Sequence, residues 1–333
     1  MIGTLFIIRA VQNGFGVRED DNVLLRDTAA PVQDATGSAN ISLGSTEFGS
    51  READIEALNK PHAISKPIGC SGMHFAAFDT QLNAPTYPMP CPVTFLRGNH
   101  THKRSMFWQK HKAYLDFSAK ISAQAPDDLV VFFDARDVMF AGNHPQQIAE
   151  RFNEFRTQIV IGAEFGCWPP GSLCSRNISF YPDPYPRYTT LLKAGYIQCD
   201  STCTQHPGYR FLNSGFTIGR AKSVRDMIEA AMHSGKERLA YLHASLSEYD
   251  DQYFLNHVFA HMRNRFSITL DYNATLVLNL QRILERSFEL TGKGVYSRGF
   301  EKYILFAHGN GNGKKMIKHF AEHMQKIRSG KAD

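Results

Sequence analysis

Two aspartates follow an apolar run with the spacing of a metal-binding turn. Residues 129–133 are all apolar, Asp134 comes directly after them, and Asp137 follows three residues later. A buried strand that ends here would present both carboxylates at its carboxyl end, where Mg²⁺ or Mn²⁺ could bind beside a diphosphate. An aspartate that caps the turn, with Asp137 solvated, explains the same pattern. Both interpretations stay open on this motif alone.

A second polar segment, His308-Gly309-Asn310-Gly311, follows a later apolar run and leads into a basic helical pattern. Its glycines allow backbone N–H groups to face a phosphate, helped by the N-terminus of the following helix. His308 could supply an imidazole to the same metal as the two aspartates. The segment lacks the spacing of a P-loop, and Arg136 interrupts the D-x-D pattern of an aspartyl-nucleophile phosphatase.

Asp250 and Asp251 precede another helical pattern. Negative charge is favoured at a helix N-terminus, so the pair fits a helix start as well as an acceptor site. Neighbouring helical side chains diverge by about 100°, and we therefore expect one aspartate to cap the helix and Asp251 to face the cleft. There it would position a hydroxyl group, because an aspartate near its reference pKa is a weak base at neutral pH.

The elements that must position these residues alternate between strands and helices. Apolar runs predict strands at 93–96, 129–133, 159–161, 267–270, 276–280 and 303–306, and helical periodicity predicts helices near 107–121, 148–155, 224–231 and 254–262. Asn213-Ser214-Gly215 is predicted to be a turn that breaks a strand. The alternation indicates an α/β sheet, in which ligands bind at the carboxyl ends of the strands.

Composition and charge exclude several classes of protein. The 333 residues are 43% hydrophobic and 21% charged, which excludes a mainly disordered chain. The net charge is +5, but residues 314–333 hold six Lys/Arg against two Asp/Glu and so carry +4 of it. The rest of the chain is nearly neutral. A nucleic-acid-binding protein usually has a basic face as well as a basic tail, so nucleic-acid binding is not expected. No apolar run approaches the length of a membrane span, and residues 1–11 lack the features of a signal peptide.

Cysteines and glycosylation sequons bear on the compartment. Four of the six cysteines share one Pro- and Tyr-rich stretch, while two stand apart: Cys167, Cys174, Cys199 and Cys203, and then Cys70 and Cys91. The spacing does not match the C-x-x-C pairs of zinc sites, so two disulfides that pin this loop are expected, with free thiols as the alternative. Four N-x-S/T sequons also favour a secretory lumen. Without a visible signal peptide, a cytoplasmic location stays open.

Five motifs occur in order between about residues 92 and 320. They are VVFFDARDVMFAG at 130–142, IGAEFGCWP at 161–169, YRFLNSGFTIG at 209–219, DDQYF at 250–254 and HGNG at 308–311. As a set they resemble the glycosyltransferase domain of the procollagen lysyl hydroxylases and related procollagen glycosyltransferase-like proteins. The resemblance implies an α/β fold, a GT-A-like Rossmann-type mixed sheet flanked by helices, in a single catalytic domain.

The resemblance also implies roles for individual residues. The metal ligands would be Asp134, Asp137 and His308. The diphosphate or nucleotide contacts would be Gly309, Asn310, Gly311 and Lys314, with Glu164 as a further carboxylate of the site. The sugar-side and acceptor-side wall would be Trp168, Asn213, Asp250 and Asp251.

The implied reaction moves a hexose from UDP-glucose or UDP-galactose to a protein or glycan hydroxyl group, with Mn²⁺ or another divalent cation. The expected acceptor is hydroxylysine or galactosyl-hydroxylysine of collagen-like chains, in the endoplasmic reticulum or Golgi lumen or outside the cell. Two alternatives are a non-catalytic nucleotide-sugar-binding relative and a phosphate-processing enzyme on a similar sheet. The expected division is an N-terminal region at 1–90, the glycosyltransferase domain at 91–320 and a basic tail at 321–333.

Overall fold

A computed structural model describes residues 69–79, 87–98, 106–169, 188–198, 208–245 and 248–331. These residues belong to one unit, which runs from Glu52 to Asp333. Most of the predicted N-terminal region lies outside the described residues, as do Cys174, Cys199 and Cys203. The following statements concern the described residues.

The described residues form six α-helices and twelve strands. The helices are α1 (Met106–Gln124), α2 (Gln146–Glu154), α3 (Tyr188–Lys193), α4 (Ala221–Tyr241), α5 (Asp251–Phe266) and α6 (Lys314–Arg328). The strands are β1 (Met73–Asp79), β2 (Val93–Arg97), β3 (Leu129–Asp134), β4 (Val138–Phe140), β5 (Ile159–Glu164), β6 (Phe211–Arg220), β7 (Ile268–Asp271), β8 (Val277–Asn279), β9 (Phe288–Thr291), β10 (Gly294–Ser297), β11 (Lys302–Tyr303) and β12 (Phe306–His308).

The central sheet has the strand order β2-β1-β3-β6-β5-β7. Strands β2, β1 and β3 are parallel, β6 is antiparallel to both of its neighbours, and β5 and β7 are parallel. Helix α4 packs against α1 and α5 beside this sheet. The mixed sheet flanked by helices confirms the predicted fold class.

Strand β3 shows why its sequence is a continuous apolar run. Val130 and Phe132 belong to one hydrophobic cluster, whereas Val131 and Phe133 belong to another, because successive side chains of a strand point to opposite faces. A strand covered on both faces has no polar position until it ends. Asp134, the last residue of β3, is therefore the first polar side chain at this edge of the sheet.

The predicted turn at Asn213-Ser214-Gly215 is wrong. Strand β6 is continuous through these residues, and its pairing with β5 shifts instead: Ile161 pairs with Thr217 while Gly162 pairs with Asn213. The extra residues form a bulge, a feature that bends a strand without ending it. The bulge needs glycine at position 215, because a Cβ there would overlap the imidazole of His308.

A small second sheet brings the two predicted polar segments together. Its strand order is β4-β12-β8, with His308 paired with Val138 on one side and with Asn279 on the other. Strand β4 starts directly after Asp137, so the pairing fixes the aspartate turn next to the end of β12. The backbone N–H of Gly309 donates a hydrogen bond to the carbonyl oxygen of Asp137.

Helix α6 continues through residue 321, where the sequence predicts the start of a basic tail. Met324 is buried, and Arg328 donates a hydrogen bond to the carbonyl oxygen of Phe140 at 2.9 Å. The basic segment therefore packs on the domain at least as far as Arg328. None of the described helices is long and apolar enough to cross a membrane.

The described disulfide joins the two cysteines that stand apart in the sequence. Cys70 precedes β1 and Cys91 precedes β2, and the bond links their sulfur atoms across Cα atoms 5.6 Å apart. Parallel pairing of β1 with β2 brings both strand starts to the same end of the sheet. Cys167 is also disulfide-bonded, in agreement with the expectation for this cysteine.

Candidate active site

The aspartate turn lies at the carboxyl end of β3. The N–H of Asp137 donates to the carbonyl oxygen of Asp134 at 3.2 Å, which closes the turn. The Asp137 carboxylate forms an ion pair with Lys314 Nζ at 3.0 Å. Burial would raise the pKa of Asp134, but the charge and hydrogen bond of Lys110, with the charge of Lys314, lower it, so this carboxylate is ionised at neutral pH.

His308 points one nitrogen at this turn and the other into the protein. Its Nε2 lies 3.8 Å from Asp134 Oδ2, and its Nδ1 lies 2.5 Å from Asn279 Oδ1. Because the Asn279 amide nitrogen donates to the Ala163 carbonyl, its oxygen is the atom that accepts from Nδ1–H. Burial lowers the pKa of His308 despite Asp134 and Asp137. A neutral imidazole with the proton on Nδ1 leaves its Nε2 lone pair facing Asp134.

The donor atoms at Asp134 and His308 suit a divalent cation. An ionised carboxylate oxygen and an imidazole lone pair face each other, and two acceptors in this arrangement are stabilised by a positive ion. Asp137, the third predicted ligand, is on the same turn but paired with Lys314. Within the described part of the chain, no group of three His, Cys, Asp or Glu side chains is arranged to hold a metal ion. The three-residue metal site stays a prediction.

A lysine that the sequence reasoning missed lies at the centre of the site. Lys110, on α1, is 5% exposed, and its Nζ lies 2.9 Å from Asp134 Oδ1 and 2.8 Å from Asp251 Oδ2. Burial would lower the pKa of Lys110, but the two carboxylates outweigh burial and raise it well above its usual value. Its ammonium group is therefore a permanent charge between the two aspartates.

The sequence did contain a signal for this lysine. The buried positions of α1 include Lys110, Tyr114, Ser118 and Ser122, which recur every four residues along one face. A lysine on the buried face of a helix needs a partner for its charge. Its position relative to the apolar residues of α1 could have singled it out.

The structure shows the helix cap expected of the Asp250-Asp251 pair, whereas the cleft-facing role of Asp251 stays a prediction. Asp250 is the N-cap of α5, and its carboxylate accepts a hydrogen bond from the Tyr253 N–H at 2.8 Å. Asp251 is the first residue of α5, is 3% exposed and points to Lys110. Helix capping therefore accounts for Asp250, whereas Asp251 is directed to the same ammonium group as Asp134.

A buried polar network joins Glu164 to the other predicted residues. Glu164 ends β5 and accepts hydrogen bonds from Gln252 Nε2 at 3.0 Å and from Asn310 Nδ2 at 2.7 Å. Burial raises the pKa of Glu164 to about 7 in spite of these bonds. Asn310 also accepts from the N–H of Gln281, so its amide is held within the protein. Asn213 accepts from the Gly215 N–H and thereby fixes the bulge in β6.

Trp168 is held by its backbone and by a side-chain hydrogen bond to Asp250, and much of its indole stays exposed. Its carbonyl oxygen accepts from Asn256 Nδ2 at 3.0 Å and from Gln252 Nε2 at 3.4 Å. The residue is 56% exposed, although the residues that hold it are buried. An exposed indole on a fixed backbone offers a flat apolar face for a ligand.

A cleft of about 290 Å³ opens at the carboxyl ends of β1 and β3. It is lined by Phe78, Asp79, Met106, Phe107, Lys110, Asp134, Ala135, Arg136, Asp137 and Lys314. Asp79 forms an ion pair with Arg136, so the residue between the two aspartates of the turn is fixed to the end of β1. The cleft thus combines cations, carboxylates and aromatic side chains.

The site gathers the predicted residues into two groups. The first contains Asp134 and Asp251 at Lys110, with His308 beside Asp134 and with Asp137, on the same turn as Asp134, paired with Lys314. The second contains Glu164, Asn310 and Trp168. Asn310 bonds Glu164 directly, and Gln252 bonds both Glu164 and the Trp168 carbonyl. Gly309 and Gly311 flank Asn310 just before α6. Their role in binding phosphate stays a prediction.

Comparison with known proteins gives a family match over most of this region. The model of the PLOD GT domain, where GT denotes glycosyltransferase, matches residues 111–332. The human protein named multifunctional procollagen lysine hydroxylase and glycosyltransferase LH3 is 22% identical over 207 residues, which cover 61% of this chain and 23% of that protein. Mouse procollagen-lysine,2-oxoglutarate 5-dioxygenase 2 is 25% identical over 204 residues, which cover 60% of this chain and 22% of that protein. The chain thus spans about a quarter of the length of the curated relatives it matches.

Proposed function

Because the chain belongs to the PLOD GT domain family, we propose that it transfers a hexose from a UDP-sugar to a hydroxyl group in a metal-dependent reaction. UDP-glucose and UDP-galactose are the proposed donors. The observation that carries the proposal is the meeting of Asp134 and Asp251 at the ammonium of Lys110, with His308 beside Asp134. These groups combine charges that suit a leaving diphosphate with a carboxylate that suits an acceptor hydroxyl.

On the donor side, Asp134, Asp137 and His308 would hold the divalent cation, for which we propose Mn²⁺. When bound, such a cation supplies positive charge that stabilises the diphosphate of the leaving UDP. The chain adds Lys314, whose side chain is 63% exposed, and the backbone N–H groups of residues 310 and 311 ahead of α6. An ammonium group and free N–H groups before a helix recognise phosphate oxygens.

On the acceptor side, Asp251 would accept a hydrogen bond from the attacking hydroxyl and so orient it. Asp250 keeps the start of α5 in place by capping it. Trp168 would form an apolar wall for a sugar ring, and Gln252, which binds both Glu164 and the Trp168 carbonyl, would hold that wall. Positioning of this kind contributes a large part of enzymatic rate acceleration.

We propose hydroxylysine or galactosyl-hydroxylysine of collagen-like chains as the acceptor. The support is the family match together with relatives whose names include procollagen lysine. A secretory compartment is the proposed location, supported by the Cys70–Cys91 disulfide and by the sequons in the chain.

The proposal is tested by measuring UDP release from UDP-glucose and UDP-galactose, with and without Mn²⁺ and a collagen-like peptide that carries hydroxylysine. We expect release that needs both the metal and the peptide. A non-catalytic sugar-binding relative would bind UDP with Mn²⁺ but release none from the sugar nucleotides. A phosphate-processing enzyme would liberate inorganic phosphate instead, and either result would overturn the proposal.

A further inference from the structure

One buried ammonium group connects the two sides of the proposed site. Lys110 Nζ contacts Asp134, at the end of β3, and Asp251, at the start of α5. A third contact, to the Ser214 carbonyl in the bulge of β6, is longer at 3.5 Å. Three elements that are distant in the sequence thus converge on one side chain of α1.

The same turn of α1 holds the start of α5 by a second contact. His111 Nδ1 lies 2.6 Å from the hydroxyl oxygen of Tyr249, which precedes the aspartate pair, and both residues are buried. Among the described residues, no hydrogen-bond donor other than the Lys110 ammonium contacts Asp251 Oδ2. The position of the Asp251 carboxylate therefore depends on Lys110, whereas Tyr249 and Asp250 have their own partners.

We propose that Lys110 is a positioning residue that holds Asp251 for the acceptor and competes with the divalent cation for Asp134. This inference rests on the proposed function, because it assigns Asp134 to the metal and Asp251 to the acceptor. Lys110 occupies Asp134 Oδ1, while Oδ2 faces His308, so ammonium and metal would share one carboxylate. Two cations on one carboxylate repel each other.

The proposal gives effects of opposite sign on metal binding and on transfer. Replacing Lys110 with methionine keeps the chain length and removes the charge. The site then becomes more negative, and we expect the Kd for Mn²⁺ to decrease about tenfold. Asp251 loses the partner that holds it, and we expect kcat for transfer to fall roughly a hundredfold. If the role of Lys110 were purely structural, its loss would weaken Mn²⁺ binding and also reduce transfer.

The experiment titrates Mn²⁺ alone into the parent and the Lys110→Met protein, following free Mn²⁺ by electron paramagnetic resonance, and then measures kcat and KM for UDP release. Lys112→Met is the matched control, because Lys112 lies on the same helix in an exposed pair with Asp116. The control should match the parent in both measurements. Tighter Mn²⁺ binding with reduced kcat in Lys110→Met supports the proposal. Unchanged or weaker Mn²⁺ binding overturns it.

Two further variants keep the test decisive if Lys110→Met does not fold. Asp251→Asn leaves Lys110 with Asp134 as its remaining carboxylate, so Mn²⁺ binding should weaken, while Lys110→Arg should restore part of the transfer because it retains the charge. Mn²⁺ binding that is unchanged or tighter in Asp251→Asn contradicts the competition. If the parent itself neither binds Mn²⁺ nor releases UDP, the proposed function has failed. If the parent does both and the substitutions change neither, the proposed function stands and the role of Lys110 has failed.

Discussion

Two buried aspartates, Asp271 and Asp251, differ in the groups that bind their carboxylates. Asp271 is the fully buried last residue of β7, and its carboxylate accepts the N–H groups of residues 275–277 at 2.7 Å. Asp251 is nearly as buried at the start of α5, but its charge is met by Lys110 on a different helix. One carboxylate is satisfied by the backbone beside it, the other by a side chain from a distant part of the sequence.

The difference separates a folding role from a functional one. The donors to Asp271 lie four to six residues further along the chain, so the loop supplies its own hydrogen bonds whenever it forms. The partner of Asp251 is shared with Asp134 and could be exchanged for a ligand. Changes at Asp271 should therefore reduce stability, whereas changes around Lys110 should reduce transfer.

The largest expected effect is at Asp134. Asp134→Ala removes a proposed metal ligand that has 35% of its side chain exposed, so we expect the fold to persist and Mn²⁺-dependent UDP release to fall about a thousandfold. Asp116→Ala, an exposed change on α1, is the control. Steady-state UDP release and the circular dichroism spectrum check both statements. Retained metal dependence in Asp134→Ala would remove Asp134 from the site.

The next effect is at Asp251. Asp251→Asn keeps the shape and removes the charge, and we expect kcat for transfer to fall about a hundredfold. At saturating Mn²⁺, UDP binding should change far less than kcat, because UDP is proposed to be held at the metal side. Transfer assays and calorimetric UDP titration separate the two quantities. Transfer at the parent rate would make Asp251 a helix-start residue like Asp250.

The corresponding change at Asp271 tests whether that carboxylate serves stability alone. Asp271→Ala leaves three N–H groups without acceptors, two of them buried, and we expect the free energy of unfolding to fall by about 2 kcal/mol. Activity measured well below the unfolding temperature should stay near that of the parent. Urea denaturation and UDP release report the two effects. A variant as stable as the parent but impaired in transfer would reverse the distinction between the two aspartates.

The smallest expected effect concerns Glu164, whose buried carboxyl is bonded by side-chain amides. Its folded pKa is raised from the usual 4.5 to about 7. Between these values the folded state binds a proton that the unfolded state lacks, so this group makes the protein more stable as the pH falls. From pH 7.5 to 6 the gain should be about 1 kcal/mol. Urea denaturation of the parent and of Glu164→Gln at both pH values should show the gain in the parent alone. An equal gain in both would assign it to other groups.

The sequence predicts the residues that follow from local rules. Asp134 ends a run that must be buried on both faces, so its strand and its place at the carboxyl edge could be read directly. The strand before His308 was predicted at 303–306, but the structure has β12 at Phe306–His308. The split between Asp250 and Asp251 follows from the geometry of a helix start. Each inference needed only a few neighbouring residues.

The features that were missed depend on long-range pairing. The spacing along α1 could mark Lys110 as a residue of the buried face, but its two carboxylate partners are seen only when α1 is placed beside β3 and α5. The composition of Asn213-Ser214-Gly215 is typical of a turn, and only the register between β5 and β6 makes it a bulge. The Cys70–Cys91 bond likewise depends on the pairing of β1 with β2. Spacing along the chain does not encode such contacts.

We propose that Asp134 and His308 bind a divalent cation at the edge of the sheet where Asp251 would accept a hydrogen bond from the acceptor hydroxyl. The most direct test of this proposal is anomalous X-ray diffraction from crystals of the protein soaked with MnCl₂ and UDP. We expect a manganese peak bonded to Asp134 and His308, with the diphosphate of UDP on the Lys314 side. A manganese peak elsewhere, or UDP bound with no peak at these two side chains, would contradict the account.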